Sequence, residues 1–160
     1  MFGLTPLGIF HTILSLFAVA AGFIALLRDG RISLENRTGR VYIIATVITC
    51  LTALGIFQHG GLNRAHGLAI VTLVVLAIAW VAGHSSAFGR ASRYVETVGY
   101  SATFLFNLIP GITETSTRLP PGAPLVPNAD APALQAATGV LLVLFIIVAV
   151  LQVRAMPQRG

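Results

Sequence analysis

From Val140 to Leu151 the chain runs through twelve consecutive residues without one polar side chain. A stretch of that kind needs hydrocarbon around it, and it lies inside a longer apolar run, Leu134–Val153. A bilayer core takes about 20 apolar residues per helix. Four more runs approach that length: Pro6–Leu27, Val41–Phe57, Ala65–Gly83 and Ser92–Ile112. The fourth is the weakest, since it carries Arg93, Glu96 and Asn107. Composition agrees with lipid as the solvent. Hydrophobic residues make up 56% of the 160 residues and charged residues 9%, against about 25% charged in soluble domains. Too few charges are present to cover a water-soluble globule, and disorder requires low hydrophobicity. The expected fold is therefore all-α, a single polytopic transmembrane helix bundle with five spans.

The basic residues set the orientation. The ten positive charges are all arginine, for a formal net charge of +5. In a soluble protein such a balance would point to nucleic acid, but here the arginines fall in the short breaks between apolar runs. Cytoplasmic loops carry the excess of basic residues. With the N-terminus outside, Arg28, Arg31, Arg37, Arg40, Arg90, Arg93, Arg154 and Arg159 lie inside, and only Arg64 and Arg118 lie outside. Omitting the fourth span would move the C-terminal arginines out. The expectation is N-out and C-in, with the lipid bilayer as partner, a homo-oligomer or larger membrane complex open, and no nucleic acid.

Leu7–Phe17 followed by Ala18-Val19-Ala20 has the look of a secretory signal, but no Lys or Arg precedes it, and such signals begin with a basic region. It is read as a permanent helix. The connection Thr113–Pro132 is the one long loop; its five prolines favour extended backbone. It serves as a spacer or, on a sharper reading, as a lid or partner-docking segment. Asn36-Arg37-Thr38 matches a glycosylation acceptor but lies on the inner side of this topology. Cys50, the single cysteine, permits no intrachain disulfide and no cysteine metal cluster.

In lipid, helices associate through small and polar residues. His11, Ser15, Ala18, Gly22 and Ala25 form such a stripe on the first span. Tyr42, Ala45, Thr49, Thr52, Ile56 and His59 form one on the second, and Ala69, Thr72, Leu76, Ala79 and Gly83 one on the third, close to His66. On the fourth, Glu96, Tyr100, Thr103, Asn107, Pro110 and Glu114 recur every three or four residues. Turning a carboxylate into hydrocarbon costs about 2.5–3.5 kcal/mol, so this polar edge should face the bundle. The fifth span should be the most lipid-exposed or form a subunit interface.

This topology puts His11, His59 and His66 near the outer surface on three helices, with Glu114 at the same level and Asn107 two turns deeper. Three imidazoles and a carboxylate are a donor set for Zn or Fe, with Asn107 supporting them from behind. Thr103, Tyr100 and Glu96 would continue the polar edge inward as a pathway. Other readings of the same group are b-type haem between two facing histidines, quinone, or a structural polar cluster without a ligand. A lone cysteine excludes c-type haem attachment, and Met1 and Met156, the only methionines, give copper no soft ligand set. No nucleotide fingerprint or catalytic triad order is present, so the chain is not expected to be an enzyme. A non-catalytic accessory subunit and a proton pathway along the fourth span are the remaining alternatives.

Two segments carry a resemblance. His11-Thr12 in the first span, with Asn36-Arg37-Thr38-Gly39-Arg40-Val41-Tyr42 leading into the second, resembles a group of small bacterial integral membrane proteins of unknown function. Phe106-Asn107-Leu108-Ile109-Pro110-Gly111-Ile112-Thr113-Glu114-Thr115 is similar to a signature of the same group. The group's pattern often has His-Arg before the glycine where this chain has Asn36-Arg37. The resemblance implies a multi-pass protein of the bacterial inner membrane and implies no reaction.

Overall fold

The computed structural model describes residues 5–56, 61 and 63–157. Among these residues five α-helices follow one another: α1 (Pro6–Asp29), α2 (Arg37–Leu54), α3 (Arg64–His84), α4 (Ser92–Arg118) and α5 (Pro132–Ala155). Among the described residues there is no strand. Local chemistry sets the helix starts. The Thr5 hydroxyl accepts from Gly8 N at 3.1 Å, with Pro6 in the first turn where a missing N–H costs nothing. Asn36 Oδ1 accepts from Gly39 N at 2.6 Å, and Asn63 caps α3 in the same way. The end of α1 requires glycine: Gly30 has φ +68°, the left-handed conformation that terminates helices.

α1, α2, α3 and α5 are each long and apolar enough to cross a membrane. Leu16, Phe23, Leu27, Leu51, Val140 and Leu151 are among the large apolar side chains on the outside, an outer surface suited to lipid and consistent with a membrane protein. The inside is built from small and polar residues, as the stripes predict. Ala18, Gly22 and Ala25 on α1, Tyr42, Ala45 and Thr49 on α2, and Ala69, Thr72, Leu76 and Ala79 on α3 are buried. α5 buries only Leu134 and Gln152, one near each end.

α4 is the element around which the others pack. Glu96 lies against Gly83 of α3, and Gly99 against Ala79. Tyr42 of α2 packs edge-on to Phe104 with ring centroids 6.0 Å apart. Gly22 of α1 is the contact point for both rings: a Cβ there would fall 2.7 Å from each. On its other side, Ser101 donates to Gln152 Oε1 of α5 at 2.9 Å, and Gln152 Nε2 donates to the Gly30 carbonyl at 2.9 Å. That glutamine ties α5 to both α4 and the end of α1.

Several boundaries differ from the sequence reading. α2 begins at Arg37 rather than Val41, because the Asn36 cap fixes its first turn. It closes at Leu54 with Gly55 as cap, and Phe57, its expected end, lies outside the described residues. α4 continues to Arg118, so Thr113–Arg118 is helix rather than loop. No proline lies between Pro110 and Pro120, and Glu114 pairs with Arg118 one turn on. The Thr113 and Thr117 hydroxyls also donate to carbonyls four residues back. The proline-rich connection is thus confined to 119–131.

Candidate functional site

A half-open cleft of about 360 Å³ lies between the first turns of α1 and α3, the last turns of α2 and the second half of α4. Most of its wall is aliphatic or aromatic, from Leu16, Ala53, Leu68, Ala69, Phe106 and Leu119. His11, Thr49, Asn107, Glu114 and Arg118 are among its polar residues; the other hydroxyls in the wall, of Thr12, Ser15, Thr72 and Thr115, donate to carbonyls of their own helices. Small residues on α1 to α3 create the space, and Pro110 and Gly111 keep the facing side of α4 low.

The hydrogen-bond network fixes how His11 and Asn107 present themselves. His11 Nδ1 is 3.1 Å from the Thr49 carbonyl and 3.0 Å from Thr52 Oγ1. The Thr52 hydroxyl gives its proton to the same carbonyl at 2.9 Å. A carbonyl can only accept, so Nδ1 carries the hydrogen, and in the neutral ring Nε2 is left with a lone pair. The geometry is that of an imidazole oriented from behind by a backbone carbonyl.

Asn107 is oriented through a chain of hydroxyls. Thr103 donates to the Tyr100 carbonyl at 2.7 Å, so the Tyr42–Thr103 bond at 2.9 Å must be donated by Tyr42. The Tyr42 oxygen therefore accepts from Asn107 Nδ2 at 3.1 Å, and Thr46 Oγ1 accepts from the same nitrogen at 3.0 Å. Both amide hydrogens point into the bundle, which turns Oδ1 the other way as an acceptor. Thr49 adds a third group: its Oγ1 is buried and has no hydrogen-bond partner among the described residues.

The residues singled out from sequence divide between this cleft and other places. His11, Glu114 and Asn107 line it. Glu114 is ion-paired with Arg118 and is 60% exposed, at the rim. His66 is 2% exposed and takes part in the α3 capping box, where Asn63 N donates to its Nδ1 at 3.3 Å; it is not among the cleft-lining residues. His59 lies outside the described residues. Among the described residues no three of His, Cys, Asp and Glu group as a metal site would require. Tyr100 and Thr103 are wholly buried behind Asn107, as positioning groups rather than cleft walls. Glu96 sits at the opposite end of α4 beside Gly83, as does His84, whose ring stacks on Trp80 with centroids 5.0 Å apart.

Sequence reasoning missed Thr46, Arg118 and Gln152. Thr46 is four residues from Tyr42, on the same helix face, and Arg118 is four from Glu114. Gln152 is the first polar side chain after the apolar stretch Val140–Leu151, which in lipid is itself a signal of an inward partner. Comparison with known protein families, with curated proteins and with solved structures found no match.

Proposed function

We propose that this chain is a five-span integral protein of a bacterial inner membrane, N-terminus outside, that holds an amphiphile in the α1–α4 cleft. The observation that carries the reading is the cleft itself. Its apolar wall and few convergent polar groups are the usual make-up of a small-molecule site, and an apolar body with a polar head would fill it. Glu114 and Arg118 mark the rim that meets the water interface, and His11 and Asn107 are the polar groups that a head would bond inside it.

The fifth span is supported by α4's length and company. Its 27 residues extend for about 40 Å at 1.5 Å per residue. It meets Gly83 at the end of α3 through Glu96, and through Glu114 it shares the cleft with His11 near the start of α1. A helix packed along the full length of apolar neighbours crosses wherever they cross. On its polar edge Thr103 and Asn107 are matched by Tyr42 and Thr46 rather than by hydrocarbon. Arginine placement supports N-out: Arg28, Arg31, Arg37, Arg40, Arg90, Arg93 and Arg154 fall at one end of the helices and Arg64 and Arg118 at the other.

A transition metal at the cleft would have His11 Nε2 and Glu114 as its described donors, and b-type haem would have His11 alone. An amphiphile makes use of more of what lines the cleft. Calorimetric titration of the purified protein in detergent with 4-octylphenol tests the reading. Gly111 lines the cleft and a Cβ there would meet nothing within 4 Å, so Gly111→Leu fills the space without disturbing the helix. Saturable binding weakened about tenfold or more by Gly111→Leu is expected, the loss that follows when a few apolar contacts are blocked. Binding that is absent, or equal in the two proteins, would overturn it.

A further inference from the structure

The hydrogen-bond polarity of the cleft narrows what the head of its ligand can be, an inference that rests on the amphiphile reading above. His11 Nδ1 is committed as donor to the Thr49 carbonyl, which leaves Nε2 as an acceptor. Asn107 is turned by the Tyr42–Thr103–Tyr100 chain so that both its amide hydrogens are consumed and Oδ1 is the remaining group. Pro110, a cleft residue, has no N–H for the carbonyl of Phe106 four residues back, also a cleft residue. These three acceptors lie on residues lining one cleft, in addition to the Glu114 carboxylate at its rim. Of the donors in the lining, the hydroxyls of Thr12, Ser15, Thr72 and Thr115 give their protons to backbone carbonyls, and the Arg118 guanidinium sits at the rim, paired with Glu114. Thr49 Oγ1, buried and without a partner among the described residues, can donate as well as accept.

We infer that the cleft selects an amphiphile whose head carries hydroxyl hydrogens (a phenol, a quinol or a lipid alcohol) over one whose head only accepts, such as a quinone, ketone or ether. A hydroxyl gives its proton to His11 Nε2 or Asn107 Oδ1. A quinone carbonyl in the same place sets oxygen lone pairs against those of the acceptors, and the cost of unpaired buried polar groups then falls on the complex. The selection is made beside His11 and Asn107, where acceptors face the head, and not at the rim, where Arg118 offers N–H groups. No bond is made or broken; the ligand is held.

The test compares 4-octylphenol with its methyl ether, 4-octylanisole, which keeps the ring, the chain and the oxygen but has no hydroxyl hydrogen. Both are titrated into the full-length protein in detergent and into Gly111→Leu. The phenol is expected to bind about tenfold tighter or better, the worth of one hydrogen bond in a dry site. That advantage should shrink in His11→Phe and in Asn107→Leu. Equal affinity for phenol and ether, with both weakened by Gly111→Leu, overturns the donor selection while the amphiphile site stands. An advantage undiminished in both variants also overturns it, because the acceptors would then be others. Failure of both ligands to bind refutes the amphiphile site and this inference with it. The wild-type comparison needs no variant to fold.

Discussion

Asn107 on α4 donates through Nδ2 to the Tyr42 hydroxyl on α2 across 3.1 Å, and that one bond joins the fold to the site. On the packing side it satisfies a buried phenol whose own proton goes to Thr103. On the cleft side it decides which end of the amide a ligand meets. Thr46 accepts the second amide hydrogen at 3.0 Å, so the orientation is set twice over.

Coupling between these two residues follows. A double-mutant cycle of Tyr42→Phe and Asn107→Leu, read by denaturation in mixed micelles, should give about 0.5–1.7 kcal/mol, the range of hydrogen bonds between membrane helices. Strictly additive single effects would mean the bond contributes nothing.

Close approach of helices leaves no room for a side chain at Gly22 of α1. A methyl there would lie 2.7 Å from both Phe104 and Tyr42, so Gly22→Ala should destabilise by about 1–3 kcal/mol, the cost of overpacking a core. Gly139→Ala on α5 meets nothing within 4 Å and should change stability by no more than about 1 kcal/mol, in the stabilising direction. Thermal melts of the two variants side by side check the contrast.

Gln152 should matter more than any other residue of α5. It accepts from Ser101 and donates to the Gly30 carbonyl, while most of the helix faces outward. Gln152→Leu should cost about 1–2 kcal/mol through the two lost bonds and the polar groups left behind. Val143→Ala, on the exposed face, should cost less than about 0.5 kcal/mol, as surface changes do. A Gln152→Leu protein as stable as wild type would show that α5 docks by other means.

The surface pair Arg64–Asp130 makes the opposite case. Its 2.8 Å bond is 90% and 72% exposed on the two sides, and solvent screening leaves such pairs little net effect on stability. Asp130→Ala should leave the melting temperature within about 2 °C of wild type; a larger fall would give the 119–131 connection a structural role.

The bundle was legible because lipid leaves a simple code: long apolar runs, small or polar stripes inside, and loops marked by arginine and glycine. Ala18, Thr72 and Thr103 are buried as their spacing implies. The start of α2 and the end of α4 were less legible, since an Asn36 cap and a Glu114–Arg118 pair extend helices past the apolar residues that define a span. The site was legible in part. His11, Asn107 and Glu114 stand out by residue type and meet at one cleft. His66 stands out equally, yet takes part in a helix cap, because an imidazole three residues after an asparagine can serve the backbone as readily as a ligand. The direction of Asn107's amide could not be read from sequence at all, since it depends on where Thr103, a helix turn away, sends its proton.

The central claim is that α4 crosses the membrane with its polar edge turned inward. The most direct measurement labels single cysteines with a membrane-impermeant maleimide in intact cells, in a Cys50→Ala background. Ala87→Cys precedes α4 and Ala123→Cys follows it, both at exposed positions. Ala123→Cys is expected to react from outside and Ala87→Cys only after the cells are opened. Reaction of both from the same side would contradict it.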